Sequence, residues 1–184
     1  MEPHARIILW SAAKHSGKST GALKVAWQTR ARGFTVAGLL SPSVYVNGKL
    51  TGFDALDLRS GKRAHLSECD GGGSGPAGFR WLSEGMELAE RALDATKTAS
   101  AELVIVDEFG PLEMVGRGWR KYIDSLITSN DTLILLVVRE SLVDDVEELY
   151  SAVPSLRLSA TDPKSIDRVI EMIEKRRKRS VRIV

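Results

Sequence analysis

"IILWSAAKHSGKST", residues 7–20, decides the reading of this chain. A short apolar run enters a loop that closes on Gly17-Lys18-Ser19-Thr20, and helical spacing follows. A strand, a turn and a helix N-terminus in that order make an anion site. Successive backbone N–H groups and the helix dipole both favour negative charge there. Lys18 would add a point charge at the β- and γ-phosphates, and the Ser19 hydroxyl would ligate Mg2+. The expected phosphate-binding set is Ala13, Lys14, His15, Ser16, Gly17, Lys18, Ser19 and Thr20, with Lys14 and His15 over the anion or pointing to solvent. The loop is poor in glycine, since Ala12 stands five positions before Gly17. If the turn demands a positive φ at residue 12, alanine costs about 1–2 kcal/mol there, little beside the binding of a triphosphate.

A second segment answers the first. "LVIVDEFG", residues 103–110, runs four apolar residues into two carboxylates. Such acids can simply cap the following turn. A phosphate loop, however, needs a partner carboxylate near the Mg2+ shell, and Asp107 fits that task. Glu108 would orient or deprotonate the attacking water. Two matches in the expected order, each on a predicted strand, point to nucleotide hydrolysis.

Between and beyond them the chain alternates. Strands are expected over 6–11, "FTVAGLL", "AELVIVDEF", "DTLILLVV" and "SLRLSA"; helices over 17 to about 32, "WLSEGMELAERALDATKTA", "GRGWRKYIDSLITSN", "SLVDDVEELYSA" and "PKSIDRVIEMIEKRRKR". "VYVNGKLTGFDALDLRSGKRAHL" carries Asn47-Gly48 and Ser60-Gly61 between β-branched segments, which reads as a β-hairpin excursion. "SECDGGGSGPAG" reads as a loop without phosphate-binding context. Strands separated by helices imply βαβ units and a mostly parallel sheet covered on both faces, an α/β class. Ligands then bind at the carboxyl ends of the strands.

Composition sets the frame. The 184 residues fit one domain (1–184), and 43% hydrophobic with 27% charged residues is ordinary for a soluble globular protein. No apolar run nears the roughly 20 residues of a membrane span, and no secretory leader pattern is read, so no membrane partner is expected. One cysteine, Cys69, excludes an internal disulfide framework and suits a cytoplasmic address; it reads as a small buried or half-buried residue. The net charge of +2 hides a basic end: residues 175–184 hold six basic residues and no acid, leaving 20 basic against 24 acidic elsewhere. That tail reads as a solvated helix end, where cations suit the dipole, in preference to a nucleic-acid or lipid contact. Trp10, Trp27, Trp81 and Trp119 read as core or half-core residues, not base-stacking platforms. His4, His15 and His65 lack metal-ligand spacing.

On "HSGKST", "GFTVAGLLSPSVYVNGKLTGFDALDLRSGKRAHL", "LVIVDEFGPLEM" and "LILLVVRESLVDDV", most of the chain resembles the small nucleoside-triphosphatase family, typified by thermophilic NTPases and a human cancer-related nucleoside-triphosphatase. The resemblance implies a three-layer P-loop NTPase fold with a RecA-like sheet, and Mg2+-dependent hydrolysis of several NTPs to diphosphates. Under it, Lys18 and Ser19 match the phosphate and magnesium residues, Asp107 the metal carboxylate and Glu108 the catalytic acid. Glu113 falls on a family acid or is a helix-start acid in a good dipole position. Arg139 matches a family position and could stabilise γ-phosphate charge, or could pair with Glu140 or Asp144 at the surface. Arg117 and Arg120 read as a solvated helix face. Family members carry a more glycine-rich loop, a departure that bears on rate and nucleotide preference more than on binding.

Two rivals stand beside hydrolysis. A small kinase would need an arginine-rich lid, but the region after "VVRES" is acidic. A nucleotide-timed adaptor, similar to the partner GTPases of molybdopterin-dinucleotide assembly, would need a protein partner that the sequence does not indicate.

Overall fold

In the computed structural model, residues 5–13, 16–69, 78–129 and 131–180 are described, apart from the side chain of Ser180. Lys14 and His15, the central part of the glycine-rich stretch at 70–77, His4 and the tail residues 181–184 lie outside them.

The apolar runs become strands wherever both faces can be covered. Strands β1 (Ile7–Ala12), β2 (Val36–Leu40), β7 (Leu103–Phe109), β8 (Leu133–Arg139) and β9 (Ser155–Ser159) form a parallel core in the order β2-β7-β8-β1-β9. On the β2 side the sheet continues antiparallel through β4 (Lys49–Asp57), β5 (Arg63–Cys69) and β6 (Phe79–Trp81), with β3 (Ser43–Val46) paired to β4. The expected excursion is therefore a set of antiparallel hairpins. Its first turn has positive φ at both Asn47 (49°) and Gly48 (76°), the geometry that matches strand twist in a two-residue hairpin.

Alternation along the strands feeds two cores. On one face Leu9, Leu39, Val106 and Leu136 pack under α2 (Ser83–Leu93), α5 (Arg120–Ser129) and α6 (Val143–Leu149). On the other, Ile8, Trp10, Ile105 and Val137 pack under α1 (Lys18–Ala31) and α7 (Lys164–Ser180). That is the three-layer arrangement. Each fully buried Leu or Ile contributes about 1.5–3 kcal/mol, which is why the chain pays the entropy of ordering two helical layers.

Several expectations need adjustment. The helix expected from Trp81 begins only at Ser83, because Phe79–Trp81 adds an edge strand to β5. It also breaks at Asp94, whose carboxylate caps the short α3 (Ala95–Thr98) by accepting the Thr96 N–H at 2.8 Å. A short α4 (Pro111–Met114) was not foreseen. Trp10 and Trp119 are buried, but Trp27 is 60% and Trp81 41% exposed, so the core reading fails for those two. Cys69 is exposed, not buried.

The basic end is anchored, where a solvated face was expected. Arg177 pairs with Glu102, donates to the Gly33 carbonyl at 2.9 Å and lies 4.0 Å over the Phe34 ring. Arg176 donates to Asp131. Among the described residues no helix is long and apolar enough to cross a membrane.

Gly38 shows how tightly β2 and β7 meet. Its φ is +110°, and a Cβ there would fall 2.0 Å from the Ile105 carbonyl oxygen. Gly38→Ala is expected to lower stability by more than about 3 kcal/mol, because backbone on both sides blocks relaxation. A urea melt within about 1 kcal/mol of the parent would refute that packing.

Candidate functional site

The carboxyl ends of the parallel strands converge on one edge. There β1 delivers the loop to α1, β2 delivers Ser41, β7 delivers Asp107 and Glu108, and β8 delivers Arg139. The register places Ala12 beside Arg139 and Asp107 beside Val137. Four segments distant in sequence thus meet at a topological switch point, where sheets of this kind bind ligands.

The loop rests on Trp10. Its indole is fully buried and Nε1 donates to the Lys18 carbonyl at 3.2 Å, tying the last turn of β1 to the first turn of α1. Gly21 lets the helix lie that close, since a Cβ there would meet the indole at 3.1 Å. Gly17 is the helix N-cap with φ +84°, so glycine is required at that point of the loop. The backbone strain considered for Ala12 does not arise. Ala12 is the last extended residue of β1, where a Cβ costs nothing. Lys18 is buried and donates from Nζ to the Ala13 carbonyl at 3.2 Å. Ser16 turns its hydroxyl onto the same carbonyl at 2.6 Å. Ala13, Ser16, Gly17, Lys18, Ser19 and Thr20 therefore form one turn and helix start, while Lys14 and His15 fall outside the described residues.

Asp107 is 2% exposed. Burial pushes its carboxyl up to about 6, against the backbone N–H of Ser41 and the Ser19 hydroxyl, which both favour the charged form. Nearby Glu108 adds to the rise and Lys18 opposes it. Ser41 N–H donates to Oδ2 at 3.1 Å, and the Ser41 hydroxyl donates to the Asp107 carbonyl at 2.8 Å. Sequence reasoning missed Ser41. The available signal was a hydroxyl residue directly after a buried strand, in "GLLSPS".

Glu108 occupies the one position where β7 slips in register against β8. Its Oε1 accepts from Arg139 Nε at 2.7 Å, with both side chains partly exposed. Arg139 thus pairs with Glu108, and neither Glu140 nor Asp144 takes that place; Asp144 pairs with Arg157. Glu113 is resolved toward structure. Buried, it accepts the Gly110 N–H at 2.9 Å and the Trp119 N–H at 3.0 Å, which pins the turn after β7. Burial pushes its carboxyl upward, and those two amides oppose the rise. Arg120 is fastened to Asp124 on α5 at 2.8 Å.

Could this arrangement hold a divalent cation? Asp107 is a buried carboxylate that burial holds above its ordinary value, with the Ser19 hydroxyl and the Lys18 ammonium near it. Oxygen donors of this kind suit Mg2+, which takes few protein ligands and completes its shell with phosphate oxygens and water. Among the described residues no group of three or more His, Cys, Asp or Glu could hold a metal.

The model of a family described as NTPase matches residues 7–173. The nucleoside-triphosphatase THEP1 of Methanothermobacter thermautotrophicus is 31% identical over 164 residues, 88% of this chain and 90% of that protein. Its counterpart in Methanopyrus kandleri is 31% identical over 170 residues, 85% and 89% of the two chains. The fold is similar to the crystal structure of THEP1 from Aquifex aeolicus (TM-score 0.64, 18% identity, 91% and 96% covered). It is equally similar to the solution structure of a human cancer-related nucleoside triphosphatase (TM-score 0.64, 21% identity, 92% and 96% covered).

A raised carboxyl makes the folded state bind its proton more tightly than the unfolded chain. Asp107 therefore adds stability below about pH 4, and that contribution is lost as pH rises toward about 6. In metal-free protein, Asp107→Asn is expected to exceed the parent by about 1–3 kcal/mol at pH 7, with the gap closing at pH 4. Parallel urea-stability curves for the two proteins across that range would contradict the assignment.

Proposed function

Because this chain belongs to the NTPase family, the nucleoside-triphosphatases, we propose that it hydrolyses several nucleoside 5'-triphosphates, ATP and GTP among them, to diphosphate and phosphate in a Mg2+-dependent reaction. The observation that carries this reading is the buried Asp107 carboxylate, near Ser19 and Lys18 at the start of α1, where a divalent cation and phosphate would be received.

The residues divide the work by position. The α1 amides and Gly17 receive the phosphates, and Lys18 exchanges the Ala13 carbonyl for phosphate oxygens. Ser19 and Asp107 would hold Mg2+, with Asp107 kept in orientation by the Ser41 N–H. When bound, the ion would supply positive charge to neutralise the phosphates. Glu108 takes a proton from the attacking water as its oxygen bonds to the γ-phosphorus. The bond to the bridging oxygen then breaks, and the electron pair leaves with the diphosphate. In the resting arrangement Arg139 occupies Glu108. A triphosphate draws the guanidinium toward the developing γ-phosphoryl charge, which frees the carboxylate for that proton. No base-specific motif is present in the described strands and loops, in keeping with broad base tolerance.

Phosphate release from ATP, GTP, CTP and UTP, with and without Mg2+, tests the activity and its metal requirement. Release with at least ATP and GTP is expected, with almost none when chelator is present. Label from γ-labelled ATP appearing in an organic acceptor would make the protein a phosphotransferase instead. Lys18→Ala should remove most nucleotide affinity. Glu108→Gln should retain binding while turnover falls by at least about 10²-fold; unchanged turnover would unseat Glu108 as the base.

A further inference from the structure

At the opposite end of the sheet from the phosphate loop lies a cavity of about 370 Å³. The turn from β4 to β5 forms one wall, and α2 and α3 form the other, while buried Ala37, Leu88 and Ala92 make the floor. Four cationic side chains line it: Arg59, Lys62, Arg91 and Lys97. One acid, Asp57, lines it as well, but its carboxylate is spent on the turn. Oδ1 accepts the Arg59 N–H at 2.9 Å and Oδ2 accepts the Ser60 hydroxyl.

Several arginines elsewhere are neutralised by a neighbouring acid. Arg63 pairs with Asp54, Arg80 with Glu68, Arg120 with Asp124 and Arg157 with Glu147. Among the described residues neither Lys62 nor Lys97 is in an ion pair. Asp94 lies near Lys97, but it caps α3 through Thr96. Arg91 reaches Glu87 only at 3.9 Å, with both side chains more than half exposed. Arg59 is held in place by donating to the Lys97 carbonyl. Like charges gathered around a concave apolar floor repel one another and focus a positive field into the opening. The cost is recovered when an anion enters, and guanidinium with ammonium donors suit phosphate oxygens best.

We propose that this cavity is a binding site for a small, multiply charged, phosphate-bearing anion, separate from the nucleotide site. Its volume lies in the range of small-molecule pockets. A second cavity of about 300 Å³ adjoins it, sharing Ala37 and Arg59 and adding one cation, Arg30, so the charge is concentrated in the first cavity. The site stands apart from the phosphate loop, so its failure would leave the hydrolytic reading intact.

Inorganic pyrophosphate serves as the probe, followed by amide shifts in the full-length chain at physiological salt. Two separate sets of shifts are expected, one at residues 16–20 and one at residues 57–62 and 95–98. Lys62→Glu with Lys97→Glu should weaken binding at the second set by at least about tenfold and leave the first set unchanged. Lys62→Gln with Lys97→Gln, which adds no repulsion, should weaken it in the same direction with native-like spectral dispersion. Shifts confined to the loop would overturn the proposal, as would cavity shifts indifferent to both double variants. So would saturation of the cavity by a short single-stranded oligonucleotide at lower concentration than pyrophosphate.

Discussion

One buried carboxylate organises the functional end of this molecule. Asp107 sits near the end of β7, out of contact with solvent, and accepts the N–H of Ser41, the residue after β2, with the Ser19 hydroxyl of α1 nearby. A lone buried carboxylate is costly, and that cost is what leaves a cation-shaped deficit beside the phosphate loop. Two hydrogen bonds from Ser41, to the carboxylate and to the carbonyl of Asp107, tie the end of β2 to β7 despite that cost.

The loop and the strand ends answer one another in the same spirit. A glycine-poor loop is tolerated because Ala12 finishes a strand and, among the described residues of the loop, Gly17 carries the left-handed turn. Trp10 stiffens the stem from below, so conformational freedom removed from the loop is replaced by a fixed indole contact. On the far side, Glu108 and Arg139 neutralise each other across neighbouring strands. Exposed ion pairs of this type are worth only about 0–1 kcal/mol, weak enough for a phosphate to rearrange. The same sheet carries a cationic cavity at its other end. Strand β2 joins the two, from Ala37 in the cavity floor to Ser41 at Asp107, across roughly 13 Å of chain.

The parallel core, the hairpins and the phosphate loop were legible in the sequence because each leaves a local trace. Continuous apolar runs mark strands buried on both faces, Asn47-Gly48 marks a tight turn, and Gly17-Lys18-Ser19 marks a helix start after a loop. The edge strand Phe79–Trp81 left no such trace, being three residues long and specified by its partner β5. The exposed Trp27 and Trp81 misled for a related reason: aromatic character reports affinity for burial, not whether a partner arrives.

By itself, the sequence determined which chemistry was available: backbone amides at a helix start, a lysine, a hydroxyl, two adjacent carboxylates and an arginine at a strand end. Tertiary structure alone decided how they divide. Ser41 joined the site because β2 lies beside β7, Glu113 left it because two backbone amides claimed its oxygens, and Arg139 chose Glu108 over its neighbours in sequence. Local propensity acts over a few residues, whereas these partnerships depend on strand order and register, which only the packing of the whole sheet sets.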